Sequence, residues 1–204
     1  MSITKHKYKT IAESTQSLFK DRGSKFLGYT YPILNTEDVK KCIAEVKKEH
    51  AKATHHCFAY RLGTDGLSFR ASDDGEPSGS AGRPILGQID SMGYTNILVV
   101  VVRYYGGTML GVPGLINAYK TTAAEALQIA IPIEKWITQR VEISMDYNAM
   151  SEVLYLLKQC EASVIKQDLQ LFCTIIADIP KNHFEQYSEQ LMKIRGLNLK
   201  PLSA

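Results

Sequence analysis

The 204-residue chain has little cysteine. Cys42, Cys57, Cys160 and Cys173 fall at wide spacings with no CxxC pair, so neither a zinc framework nor a disulfide scaffold is encoded, and a reducing compartment fits. Long hydrophobic runs are missing too. The longest, Ile97 to Val102, is far too short to cross a bilayer, and the N-terminal MSITKHKYKT has no apolar signal-peptide core. These absences predict no membrane association and a cytoplasmic location. A strong excess of one charge sign is also lacking: the net charge of +3 argues against a highly basic nucleic-acid coat protein. The small excess is uneven, with 17 Lys and Arg against 13 Asp and Glu in residues 1–135 and 7 against 8 in residues 136–204, so the first segment suits an anionic partner. GxGxxG, the Walker sequence and GxSxG are all absent, as are repeats and low-complexity stretches.

What is present is an ordinary globular composition, 45% hydrophobic and 22% charged, able to bury a core. The length predicts two domains. Ser24 to Ile33 alternates Lys25, Leu27, Tyr29, Tyr31 and Ile33 as a strand does. Residues 36–50 read as an amphipathic helix with Asn35 or Thr36 as cap, acids in the first turn and Lys47 and Lys48 at the end. Residues 55–62 and 67–71 form a hairpin across Gly63 to Gly66. A short helical stripe follows (Ile85, Leu86, Ile89, Met92), then the β-branched run 96–102, which suits a central strand buried on both faces. Past a glycine loop, Leu115, Tyr119, Thr122 and Ala126 share a helix face. Beyond residue 135, strand 138–146, helix 148–159, strands 162–168 and 170–178, helix 181–194 and a short strand near 197–201 predict a small α+β sandwich.

Three constellations carry chemistry. The first, Ser72 to Pro84, packs three acids, three hydroxylic residues, three glycines and Arg83 into thirteen positions. Ser78, Ser80 and backbone N–H groups could cradle an anion beside a helix N-terminus, or the acids could simply cap that helix. The second, Val102 to Gly111, lies where a buried strand gives way to a helix. Arg103 could bind phosphate or carboxylate and Tyr104 or Tyr105 stack on a base, with Lys120 in support; otherwise one tyrosine faces the core while Gly106 and Gly107 permit a tight reversal. The third is Thr54-His55-His56-Cys57, in which His55 and Cys57 share a strand face and His56 points opposite. With Asp73, Asp74 or Glu76 these histidines could hold a metal or move protons, though two ligands fall short of a metal shell. No metal or cofactor is expected. A nucleophilic Cys57 or Ser78 lacks a fixed partner base.

The stretches DDGEPSGSAGRPIL and NILVVVVRYYGGTMLGVPGLINAYK, with RGSKFLG and HHCFAYR, strongly resemble the signature of the IMPACT family, also called the YigZ family, over about residues 5–130. The resemblance implies an α+β protein: an N-terminal domain (1–135) like domain 2 of ribosomal protein S5, and a small C-terminal domain (136–204), ferredoxin-like and similar to a domain of elongation factor G, as on bacterial members. It also implies a role around translation. Eukaryotic relatives regulate initiation through the activator of an initiation-factor kinase, but they carry an RWD domain without counterpart here, so that role does not transfer. For bacterial members it implies a nucleic-acid or ribosome-associated factor.

Three readings follow. The first is a binding factor that contacts RNA or ribosomal components through Ser78, Ser80, Arg83, Arg103, Tyr104, Tyr105, Gly106, Gly107 and Lys120. The second is a hydrolase using His55, His56, Asp73, Asp74 and Glu76, with or without a metal. The third is a protein-interaction module that receives a partner peptide on the tyrosine and glycine segment.

Overall fold

The computed structural model describes residues 6–169 and 172–202. It is a mixed α+β structure that divides into two compact units, Tyr8–Lys135 and Trp136–Ala204, the latter together with the residues up to Lys7. Chain order begins β1 (Lys7–Ile11), β2 (Thr15–Asp21), β3 (Ser24–Pro32), α1 (Thr36–Glu49), β4 (His55–Leu62), β5 (Ser68–Ser72), α2 (Gly82–Ser91), β6 (Ile97–Tyr104), α3 (Gly111–Ile129) and β7 (Pro132–Trp136). Five strands pair antiparallel in the order β2-β3-β6-β4-β5, and β1 pairs with β7.

The buried run of β6 explains itself once the layers are in place. Ile97, Val99 and Val101 pack with Ile85 and Ile89 of α2 and with Leu115, Tyr119 and Ala123 of α3, while Leu98, Val100 and Val102 pack with Val39 and Val46 of α1. A strand covered on both faces has no polar side to alternate with. The helix expected over 36–50 is α1, its N-terminus capped by Asn35, whose Oδ1 accepts the N–H groups of Glu37 and Asp38 at 2.9 Å each.

Three strands carry no clear sequence signal: β1, β2 and β7. The β2–β3 connection is a two-residue turn in which Arg22 and Gly23 both have positive φ, 43° and 79°. Primed hairpin turns require this, and Asn or Asp usually supplies the first position; arginine there hides the turn.

The helix α3 lies unusually close to β2 and β3. Ser17 Oγ donates to the Thr122 carbonyl at 3.0 Å and Thr15 Oγ1 to the Ala126 carbonyl at 2.7 Å. Gly28 makes the approach possible, because a Cβ there would stand 2.6 Å from Ser17 Oγ and 3.0 Å from Thr122.

In the second unit β8 (Thr138–Asp146), a 3-10 turn at Tyr147–Ala149, α4 (Met150–Gln159), β9 (Ser163–Leu169), β10 (Phe172–Pro180), α5 (Lys181–Met192) and β11 (Asn198–Pro201) follow. The sheet order is β11-β8-β10-β9, antiparallel throughout. Val141, Ile143 and Met145 alternate inward from β8, as do Cys173, Ile175, Ala177 and Ile179 from β10, against Val153, Leu157 and Leu191. Residues 170 and 171, where the second central strand was expected to begin, lie outside the described residues. No helix among the described residues is long and apolar enough to cross a membrane.

Gly28→Ala should overpack the α3 contact and lower stability by about 1–3 kcal/mol. A urea-unfolding midpoint that does not move would show that α3 is not seated this tightly.

Candidate functional site

The end of the sheet where β6 stops carries the densest polar chemistry. In the row Phe26–Arg103–His55, set by the ladders β3–β6 and β6–β4, all three side chains face α3. Arg103 is only 6% exposed, and its Nη1 donates to Glu76 Oε1 at 2.7 Å. Tyr119 Oη donates to the same oxygen at 2.8 Å. His55 Nε2 stands 3.8 Å away from it, beyond hydrogen-bond reach. The guanidinium also lies 5.5 Å from the ring centres of both Phe26 and Tyr105, and Phe26 meets Tyr119 edge-on at 5.3 Å. Burial pushes the Tyr119 hydroxyl far up its titration range, with Cys57 and Glu76 adding to it; it therefore stays protonated and donates. Arg103 Nε, though buried, has no acceptor among the described residues, a deficit worth about 1–3 kcal/mol for a buried donor.

The loop before α2 holds its own anion. Asp73 Oδ1 accepts the N–H groups of Ala81 and Gly82 at 3.0 and 2.8 Å, and Oδ2 accepts Gly79 N–H at 2.9 Å. Partial burial raises the Asp73 carboxyl, but these three bonds and Arg83 outweigh it and hold the group below its ordinary range. Asp74, at φ 43°, accepts His56 N–H at 2.7 Å and meets Lys47 at 3.3 Å. Burial again opposes these contacts and again loses, so this carboxyl is also lowered. The Asp74 carbonyl, which can only accept, takes the Nδ1 proton of His55 at 2.9 Å. That leaves Nε2 as the ring nitrogen facing Glu76.

The opposite face of the same sheet end is a groove of about 550 Å³ bordered by Leu18, Lys25, Leu27, His50, Tyr104 and Tyr105. Lys20 and Lys25 stand directly opposite each other across β2 and β3, and Lys25 opposite Tyr104. Like charges paired this way cost stability, and among the described residues neither lysine has an acidic partner. His50 Nδ1 bonds Tyr104 Oη at 2.9 Å, which fixes that ring as a wall, whereas Tyr105 is 50% exposed.

The chain matches the Impact N-terminal domain over residues 22–127. It is 34% identical to the IMPACT family member YigZ of Escherichia coli over 170 residues, covering 82% of this chain and 83% of that one, and 31% identical to the IMPACT family member YvyE of Bacillus subtilis over 193 residues, covering 91% and 87%. The chain belongs to the IMPACT family. It is also 35% identical to human Protein IMPACT over 96 residues, 45% of this chain and 29% of that one. A crystal structure of a hypothetical protein superposes with a TM-score of 0.76 at 30% identity, covering 97% of this chain and 98% of that one.

Several expected site residues of this IMPACT-family chain have other work. Ser80 is fully buried and its Oγ donates to the Pro77 carbonyl at 2.6 Å, so it closes a turn rather than meeting a ligand. The anion expected at the α2 N-terminus is the Asp73 carboxylate itself. Arg103, expected to bind phosphate or carboxylate of a partner, is buried and paired with the chain's own Glu76 carboxylate. His56 points away from His55, its Nε2–H donating to the His50 carbonyl at 3.1 Å. Asp73 thus serves the loop, and the proposed hydrolase set forms two separate His–carboxylate approaches, His55 with Glu76 at 3.8 Å and His56 with Asp74 at 3.7 Å, neither within hydrogen-bond reach. The Cys57 thiol donates to the Asp73 carbonyl, and burial pushes it far up, the opposite of what a nucleophile needs. No cluster of metal-ligating side chains occurs among the described residues. Ser78, Arg83, Gly106, Gly107 and Lys120 are exposed, but of these none lines the groove. Lys20, Ser24 and Tyr119 were not singled out for the site; the RG turn was the one available signal for the lysine pair.

Removing one partner of the buried pair should be costly: Arg103→Met is expected to lose about 3–5 kcal/mol in urea unfolding, with partial recovery when Glu76→Gln is added. A loss in the double variant equal to the sum of the losses in Arg103→Met and Glu76→Gln alone would mean the two groups do not interact. The pH dependence should fall in two steps. Burial lowers the His56 ring below its ordinary 6.5, so stability complete above 6.5 declines as pH falls through the lowered value. The lowered carboxyls of Asp73 and Asp74 stabilise fully above 3.8 and lose that contribution below it. Asp73→Asn should blunt the second step alone; an unaltered acid limb would contradict the role assigned to Asp73.

Proposed function

We propose that the chain is a translation-associated binding factor of the cytoplasm that engages single-stranded RNA or ribosomal RNA through the groove beside Tyr105. The carrying observation is the Lys20–Lys25 pair, two like charges set opposite each other and without acidic partners among the described residues, next to a half-exposed tyrosine at the edge of the groove. Such an arrangement suits a strand whose phosphates neutralise the lysines while a base stacks on the ring. Arg22, exposed at the hairpin tip, extends the same basic edge. The Tyr8–Lys135 unit is taken here as a relative of ribosomal protein S5 domain 2, and the second unit as ferredoxin-like. The β11-β8-β10-β9 order and the alternation of strands and helices support the latter. Membership in a family that includes Protein IMPACT supports the regulatory setting.

The RNA contact moves from Arg103, a buried structural residue, to Lys20, Lys25 and Tyr105. Fluorescence anisotropy of a labelled single-stranded RNA across a salt series tests it. Tyr105→Ala should weaken binding by about 1–3 kcal/mol, and Lys20→Ala with Lys25→Ala should reduce the slope of log affinity against log salt by about 1.4. Binding that is unchanged in both variants, or absent at low salt, removes RNA from this groove; a partner that survives nuclease treatment would point to a protein.

A further inference from the structure

The sheet of the second unit ends on β9, which pairs with β10 on one side and, among the described residues, with no strand on the other. Its residues, Ser163–Leu169, are all exposed. Such an edge offers a row of backbone N–H and C=O groups to another strand. It carries one protective feature: the register on β10 shifts between Ile176 and Ala177, which leaves Ile165 as the extra residue of a bulge. Residues 166–169 run in unbroken register beyond it. There the ladder sets Gln167 and Leu169 opposite Ile175 and Cys173, which face the helices, and Lys166 and Asp168 opposite Ile176 and Thr174 on the other side of the sheet. Neither Lys166 nor Asp168 has an ion-pair partner among the described residues.

We propose that the β9 edge joins a second copy of this chain, antiparallel about a two-fold axis at Gln167. In that register Lys166 of each copy faces Asp168 of the other, so both unmatched charges are paired, and Ile165 approaches Leu169 on the helix side. These two apolar side chains, 52% and 49% exposed in the single chain, withdraw surface from water together. Other two-fold registers fail on the same residues. An axis at Lys166 or at Asp168 sets like charges against each other; shifted half a residue from Gln167, it sets Ile165 opposite Asp168 in one direction and Lys166 opposite Leu169 in the other. Parallel in-register pairing puts lysine beside lysine. Cross-strand opposite charges favour pairing and like charges oppose it, so the strand is complementary to itself in one arrangement. The bulge keeps the contact short, which makes the dimer weak and dependent on chain concentration. The proposal is independent of the RNA reading, because no residue of β9 lines the groove beside Tyr105.

Sedimentation velocity of the full chain over a concentration series reads the monomer–dimer equilibrium. Lys166→Asp sets carboxylate against carboxylate in both symmetric pairs, and Asp168→Lys sets ammonium against ammonium. Each should weaken dimerisation about tenfold. The double variant Lys166→Asp with Asp168→Lys restores opposite signs and should return the dissociation constant to within about threefold of the wild type. Both positions are exposed, so circular dichroism should report an unchanged fold in all three variants. A chain that stays monomeric up to its solubility limit overturns the proposal. So does a dimer that keeps its strength in both single variants, which places the contact on another surface, or one that the double variant fails to restore. Should one single variant misfold, the other single variant and the double variant still decide.

Discussion

The buried contact between Glu76 and Arg103 organises this end of the protein. One carboxylate oxygen receives the guanidinium from the end of the central strand and the hydroxyl of Tyr119 from α3, and so ties the loop before α2 to both elements. A buried pair of this kind is not in itself a large source of stability, since desolvating both ions offsets most of their attraction. What it supplies is specificity of arrangement: any displacement of the loop strands a charge in an apolar interior. The short contacts of Asp73 with three backbone N–H groups serve the same loop from its other side.

With that end fixed, the sheet presents two unlike faces. Residues alternate along a strand, so the side of β6 that turns Arg103 toward α3 turns Tyr104 the other way, into the groove with Lys25 and Leu27. One face is thus a charge-neutral, mostly apolar cleft and the other a basic edge with an exposed ring. Tyr105, where the strand has ended, borders both.

Much of this was legible in the chain. The continuous apolar run of β6, the acid-to-base polarity of α1 with its Asn35 cap, and the reactive density of residues 72–84 each mark a real feature. The opposite orientations of His55 and His56 follow from strand alternation. The resemblance carried by DDGEPSGSAGRPIL and the YYGG segment led directly to the family. The roles inside those motifs were hidden, because they depend on which charge finds which partner. Arg103 looks like a surface ligand until Glu76, twenty-seven positions earlier, is folded against it. Ser80 and Asp73 look available for a ligand until the loop uses them internally. The lysine pair was invisible because it requires the β2–β3 register, and that register turns on an arginine in a left-handed conformation at Arg22.

The Arg103 cluster is interior scaffolding, and the proposed RNA contact lies on the basic edge of the other face. Mapping backbone amide shifts during titration with a single-stranded RNA tests it most directly. Shifts should cluster on Leu18, Lys20, Lys25, Leu27 and Tyr105, with Ala81, Gly82 and Leu115 unmoved. Shifts centred on Arg83, Lys120 and the loop before α2, with the β2–β3 edge silent, would contradict it.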